Sequence, residues 1–376
     1  MQRQLVSLQH IDDIVPHSNA DNLEIAIIKG WRCIVPKGQF SPGEQVVYFE
    51  IDSLIPVSEE FEFLRKYSYV NKEWMLQETG MSEGFRIKTL KLRGEISQGL
   101  VVKAPYDIDD KVDLESYYGV KKYEPPSVPS SVTSRQGTGR FPSFIIKTGE
   151  TRIQNKLHEV MADKECMYEV TRKYHGCSFT IYAKLKSEFT FLERVKIKFC
   201  ELFNLKYKPI YKYGVCSHNV ERDLKLGDSV FSDFALNCGV LEQLKAYIDK
   251  NIDDLPEIAI QGELCAPYLQ KNHHGLTHEV LYVFNIFDIT NQRYLLPLER
   301  REVYDAIFGE EYNSKHVKHA TVEYITQIGN RSLDTILGMS DFMLSSGKPN
   351  EGLVWKAMDK DFSFKVINNN FLLMED

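Results

Sequence analysis

The sequence predicts an α+β protein in two parts, a small β-barrel followed by a larger domain of mixed sheets and flanking helices. Three observations predict it. Short strand patterns separated by Gly and Pro turns fill roughly the first hundred residues, as in a small barrel. Residues 124–140 are rich in Pro, Ser and Gly and nearly devoid of apolar side chains, which marks a linker. After them, strand-like runs are mixed with helical ones, an α+β pattern. A chain of 376 residues suits two domains at roughly 100–200 residues each. We read 1–123 as the barrel, 124–140 as the linker and 141–376 as the second domain.

In the barrel, residues 23–28 form an apolar run that Lys29-Gly30 ends, and 31–35 follow until Pro36-Lys37-Gly38 breaks them. Ser41-Pro42-Gly43 is a turn and 45–51 a strand. A strand pattern covers 85–92, stops at Arg93-Gly94 and resumes at 99–102. In the second domain, 178–183, 258–264, 281–289 and 353–357 read as strands, and 240–252, 298–308 and 333–344 as helices.

Composition narrows the class. With 43% hydrophobic residues, 20 Tyr, 21 Phe and 3 Trp, the chain can bury a core and global disorder is excluded. No apolar run reaches the ~18–20 residues of a membrane span. Residues 1–7 lack the apolar stretch of a signal peptide. The 7 Cys are scattered without a C-x-x-C pair, which fits reduced thiols in a cytoplasmic or otherwise intracellular protein. At a net charge of −7, nucleic-acid binding requires a local basic patch.

A phosphate-binding loop is absent. Gly347-Lys348 runs into Pro349, Phe342 stands where the first loop Gly belongs, and no G-x-G-x-x-G opens a helix. Lys173-Tyr174-His175-Gly176 precedes a strand. Lys91-Leu92-Arg93-Gly94 has the same spacing and reads as a basic strand end. Three later segments set the first apart. Gln261-Gly262-Glu263-Leu264 ends a strand with an acid after Gly. Glu351-Gly352-Leu353-Val354-Trp355-Lys356 places an acid and a base at opposite ends of one strand, and residues 362–367 carry Lys365. Strand alternation is expected to put Glu351, Leu353 and Trp355 on one face unless Gly352 bulges the strand, and Ser363 with Lys365 on one face of the next.

In this order the segments resemble the motifs of the covalent nucleotidyltransferases, the polynucleotide ligases and mRNA capping enzymes. Those motifs are K-x-[DH]-G, a strand-end Glu, an aromatic strand (here 282–286), E-G-x-V-x-K and a terminal Lys strand. Val215-Cys216-Ser217-His218-Asn219 is similar to a further motif, with His218 in the place of Arg. The chain runs 11 residues past Lys365, so the C-terminal OB domain usual in DNA ligases and capping enzymes is not expected. The barrel comes first instead. Gly30-Trp31, 48–53 and 86–99, with 141–144, Lys147-Thr148 and 152–155, resemble RNA ligases of the Deinococcus and Naegleria nick-sealing type, from about Leu5 to Leu373.

That resemblance implies an N-terminal OB fold and a C-terminal adenylyltransferase domain. It implies ATP-dependent joining of RNA 3′-hydroxyl and 5′-phosphate ends through lysyl-AMP, with Mg²⁺ or Mn²⁺. Lys173 would be the nucleophile, with Arg152, Lys356 and Lys365 around it and the α-phosphate. These cations, with burial, are expected to depress the Lys173 pKa. Glu263 would hold ribose hydroxyls and Phe284 would stack on adenine, with Gly176, His175 and Gln154 also in the nucleotide site. Glu351 would orient the metal's water shell, and His175 would help only when neutral. Asn285 stands where relatives often have Asp.

RNA, as a nicked duplex or a broken structured RNA, would meet Ser217 and Asn219, Arg86 and Lys88 of the barrel, and Lys206, Lys208 and Lys212. The last three belong to a stretch, 194–213, that interleaves cations with aromatics; a solvated Lys face is its other reading. His273, His274 and His278 read as a polar loop rather than a metal cluster. A monomer without membrane contact is expected. Two other functions stay open, a GTP-using capping-type guanylyltransferase and a non-catalytic OB-type RNA-binding protein. All the nucleotide-site residues follow the linker, so the second domain is expected to react with ATP without the barrel.

Overall fold

The computed structural model describes residues 3–106, 108, 111–125, 139–203, 209–251, 255–309 and 315–374. Most of the linker, 126–138, lies outside them. In the barrel, Val6–His10, Gln45–Phe49 and Leu100–Lys103 form one antiparallel sheet. Asp13–Pro16, Leu23–Ile28 and Trp31–Pro36 form another. Their inward side chains, including Ile28, Trp31, Cys33, Val46 and Tyr48, make one core. The strand expected over 85–92 is two strands, Glu83–Arg86 and Thr89–Leu92, paired respectively with Ser53–Ile55 and Glu95–Gln98. The first ladder ends at Ile87, whose N–H bonds the Ser53 carbonyl at 2.8 Å and whose carbonyl accepts the Asp52 N–H at 2.7 Å, after which the chain changes sheets.

Among the described residues, the second domain holds two sheets. In the larger, Cys177–Leu185 lies between Tyr211–Cys216 and Ile258–Cys265, and the latter pairs with Val280–Asp288. Helices Val230–Asn237, Val240–Lys250 and Pro297–Phe308 cover one of its faces through Phe234, Leu244 and Tyr304. The smaller sheet runs Val322–Gln327, Met167–Lys173, Gly352–Ala357, Ser363–Ile367. It packs through Trp355 and Phe364 on Ile153, Val160 and Ile336. The helix expected over 333–344 stops at Gly338. Ser340 Oγ bonds back to the Leu337 carbonyl at 2.7 Å, and Leu344 lies in a turn closed by its N–H to the Lys348 carbonyl.

The two parts meet in a tight seam. Trp31 Nε1 donates to Asn155 Oδ1 at 2.9 Å, and Asn155 Nδ2 donates to Glu50 Oε1 at 2.7 Å. Gln98 Nε2 reaches Asn369 Oδ1 at 3.1 Å. Leu372, on the C-terminal helix Asn369–Met374, packs against the barrel core. The second domain therefore does not stand apart from the barrel as the linker implies. No helix among the described residues is long and apolar enough to cross a membrane, and all seven cysteines are free.

Candidate active site

Lys173 ends the strand Met167–Lys173 of the smaller sheet, opposite Gly352. Cys177 opens the next strand, in the larger sheet. The chain crosses between sheets in Tyr174-His175-Gly176, and at Gly176 a Cβ would collide with the Leu264 carbonyl oxygen. This short crossing leaves Lys173 at the fork of the two sheets, where a cleft of about 1020 Å³ opens. Gly176, Glu263, Phe284, Lys356 and Lys365 line that cleft with Lys173. A second cavity of about 160 Å³ lies on the barrel side of the same amine, lined by Asp52, Arg86, Lys88, Arg152, Glu351 and Lys365.

Strand alternation explains part of this arrangement. Leu353 and Trp355 enter the core, while Val354 and Lys356 line the cleft. Glu351 does not share the face of Leu353 and Trp355. It precedes the first paired residue, Gly352, so it escapes the alternation and its Oε1 accepts from Lys173 Nζ at 2.5 Å. Ser363 and Lys365 do share a face, with Phe364 and Val366 in the core.

The electrostatics follow from burial and neighbours. Burial pushes the Lys173 ammonium toward losing its proton, but Glu351 and Glu263 outweigh it and the net direction is upward. The expected depression of Lys173 is thus not present, because a carboxylate, not a cation, is its contact. Lys365 is pushed down to about 7 by burial and by Lys173 and Arg152. Lys356 is pushed down to about 7 by burial and by Arg300. Glu263 is pushed up to about 7 by burial, with Lys173 pulling the other way; its Oε1 accepts the Gly176 N–H at 3.0 Å. His175 is pushed down to about 4, burial being the main cause, and so is neutral at pH 7.

A family model described as RNA ligase matches residues 167–367, and one described as an OB-fold domain matches residues 5–104. The chain belongs to the RNA ligase family. Among solved structures it is similar to a Naegleria gruberi RNA ligase mutant with ATP and Mn, at 29% identity and TM-score 0.81 over 100% of both chains. It is also similar to a mutant of that ligase with AMP and Mn (28%, TM-score 0.80, 99% of both chains) and to that ligase with PPi (29%, TM-score 0.80, 99% of both chains). Comparison with curated proteins gives no match.

The ligase brings most of the sequence-derived residues together, but not all. Arg152 bridges the Lys365 backbone, and its guanidinium lies 5.7 Å from the Trp31 ring. Ser217, His218 and Asn219 line the cleft mouth, and Lys147 Nζ donates to Asn219 Oδ1 at 2.9 Å. Arg86 and Lys88 point into the seam cavity beside Lys173, while Lys91 and Arg93 are exposed. Gln154 is buried beneath Gly30 and lines neither cavity. His175 lines neither; its ring packs edge-on against His273 and Phe371. His273 and His274 are not a free polar loop: His273 is buried and bonds the Pro349 carbonyl, and His274 Nε2 accepts the His175 N–H.

The described parts of the basic stretch lie toward the end of Cys177–Leu185 away from Lys173. Lys206 and Lys208 lie outside the described residues. The helix Phe191–Leu202 follows the far end of Cys177–Leu185, whose nine residues span roughly 30 Å at about 3.3 Å each. Lys212 pairs with Glu221 at 2.8 Å. Residues that sequence reading missed are Asp52 and Glu150. Asp52 pairs with Arg3 inside the barrel and faces Arg152 across the seam, and Glu150 lines the cleft from a loop. Asp52 lies in the 48–53 segment that carries the resemblance, but no periodicity marks it as a site residue, and Glu150 belongs to no motif, so tertiary contact reveals their place.

Proposed function

We propose that this RNA ligase joins RNA 3′-hydroxyl and 5′-phosphate ends with ATP, through lysyl-AMP on Lys173. The observation that carries the reading is one amine, Lys173 Nζ, at the fork of a cleft that also holds Glu263, Phe284, Lys356 and Lys365. In the first step Lys173 Nζ attacks the α-phosphorus, the bond to pyrophosphate breaks, and the amine gives up its proton. An RNA 5′-phosphate oxygen then displaces the lysine, and a 3′-hydroxyl finally displaces AMP. Such transfers rest on positioning and on charge stabilisation. Arg152, Lys356 and Lys365 supply cations around the phosphates, Glu263 accepts from ribose, and Phe284 offers a π face.

The donor set fits a divalent ion. Glu351 Oε2 is buried without a hydrogen-bond partner, and neutral His175 Nδ1 lies 3.7 Å from it. No cluster of three or more candidate ligands occurs among the described residues, so a cation here keeps much of its water, as Mg²⁺ and Mn²⁺ can. When bound, that ion supplies positive charge at Glu351, which weakens the carboxylate's hold on the Lys173 proton. Ser217, Asn219, Arg86 and Lys88 are the RNA contacts of this reading, on a nicked duplex or a broken structured RNA, with the chain acting as a monomer inside the cell. Its units are a barrel, 1–123, and an adenylyltransferase domain, 141–376. Incubation with labelled ATP or GTP and Mn²⁺ tests it: a protein-bound AMP adduct is expected, and a GMP adduct or none would refute it.

A further inference from the structure

The interior wall behind Lys356 holds charges that the proposed reaction does not use. Glu169 is the cross-strand partner of Lys356, so both side chains leave the sheet on one face, and both are buried. An ammonium and a carboxylate so placed would pair, and Lys356 would then meet a phosphate already neutralised. They do not pair. Arg300, on helix Pro297–Phe308, is 1% exposed and donates from Nη2 to Glu169 Oε1. Arg301 stands 3.9 Å from the other oxygen. Arg300 Nε donates to His319 Nε2 at 3.1 Å, which leaves the His319 proton on Nδ1, directed at the Ala320 carbonyl at 2.8 Å. Burial and Arg300 push His319 down to about 3, in keeping with that neutral ring. Lys356 Nζ donates instead to neutral acceptors, the Phe284 carbonyl at 2.6 Å and Asn285 Oδ1. The charged groups acting on it are Arg300, Glu150, Glu169 and Asp361.

We infer that Arg300 is a positioning residue of the ligase: held by His319, it occupies Glu169 and leaves the Lys356 ammonium with neutral hydrogen-bond partners, free to meet a phosphate in the cleft. Asn285 belongs to the same device, since a carboxylate there would claim the ammonium that Arg300 keeps free. The inference rests on reading Lys356 as a phosphate contact.

The test is lysyl-AMP formation by the full-length protein with Mn²⁺, measured against ATP concentration at several pH values, with thermal melts alongside. Arg300→Met frees Glu169 to pair with Lys356, so KM for ATP should rise roughly tenfold with kcat changed less. The rise of KM above pH 7 expected of the wild type should become shallower, because a carboxylate-paired Lys356 ammonium keeps its proton, and the part due to Lys365 should remain. Glu169→Gln combined with Arg300→Met removes the trap, and KM should return to within about threefold of wild type. Equal KM in the single and double variants, both melting as the wild type does, would reduce Arg300 to a structural role and overturn the inference. If Arg300→Met is unfolded at assay temperature, the double variant decides alone: KM near wild type supports the inference, and a loss as large as that of Lys356→Ala overturns it. A wild type that forms no adduct would instead overturn the functional reading, and this role with it.

Discussion

Lys365 and Lys356 stand on two walls of the same cleft, and both are pushed down to about 7, yet by different neighbours. Lys365 lies on the barrel wall, where after burial the lowering charges are Lys173, Arg152 and Arg3. Arg152 is in turn set by Trp31 at 5.7 Å and by the charges of Asp52 and Glu50. Lys356 lies on the interior wall, where Arg300 is the lowering charge and Glu169, Asn285 and His319 complete the set. One electrostatic state is thus reached twice, once across a domain seam and once inside a single domain. The first can be disturbed from the barrel; the second cannot.

Both walls converge on one amine, so removing it is the largest effect. Lys173→Ala should abolish the AMP adduct, while Lys91→Ala should leave it, since Lys91 is exposed on a barrel strand and lines neither cavity. Peptide mass mapping of the adduct checks this. An adduct on Lys91, or one that survives Lys173→Ala, would remove the point at which the walls meet.

The barrel wall can then be broken alone. Asn155→Ala deletes the hydrogen bonds to Trp31 and Glu50 and loosens the turn next to Arg152. Adenylation should fall on the order of tenfold, with the effect multiplying that of Arg300→Met, because sites without shared partners add in free energy. Rate measurements on the two single variants and the double settle it. Strong non-additivity would mean that the walls are one network.

The same contrast shows how far the sequence could be read. The Lys173 strand, the strand-end Glu263 and the Lys356 and Lys365 strands are local patterns, so alternation and turn glycines placed them on their elements. Alternation over an unbulged strand puts Glu351 with Leu353 and Trp355, but the strand begins one residue later, at Gly352. Arg300 with Glu169 joins residues 131 positions apart, and Asp52 meets Arg152 across the seam. No local period marks either pair. The linker suggested independent domains, but the helix Asn369–Met374 after the last motif strand docks on the barrel. A second domain without the barrel therefore loses the neighbours that set Arg152.

Phe284 offers a smaller effect on the interior wall. Its ring faces the cleft and lies 5.6 Å from Lys356 Nζ. Phe284→Leu keeps an apolar side chain but loses the π face, so ATP binding should weaken by on the order of 1 kcal/mol. Titration calorimetry reads this directly. Unchanged affinity would make Phe284 a packing residue and leave Lys356 as the only contribution of that wall.

The smallest effect is a count of protons. With both lysines near 7, each is largely neutral at pH 8 in the free protein and charged at pH 6. A polyphosphate anion nearby favours the charged form, so ATP binding at pH 8 should draw protons from solution, and at pH 6 it should draw few from these lysines. Calorimetry in two buffers of different ionisation enthalpy, with the metal chelated so that carboxylates release nothing to it, gives the number taken up. Lys356→Met and Lys365→Met should each lower the uptake at pH 8, and by similar amounts if the walls are electrostatically equal. Asn155→Ala should change the share of Lys365 and spare that of Lys356, since only the former depends on the seam. Uptake near zero at pH 8 in the wild type would show that neither lysine has been brought to neutrality. Equal sensitivity of both shares to Asn155→Ala would show that the barrel reaches the interior wall as well.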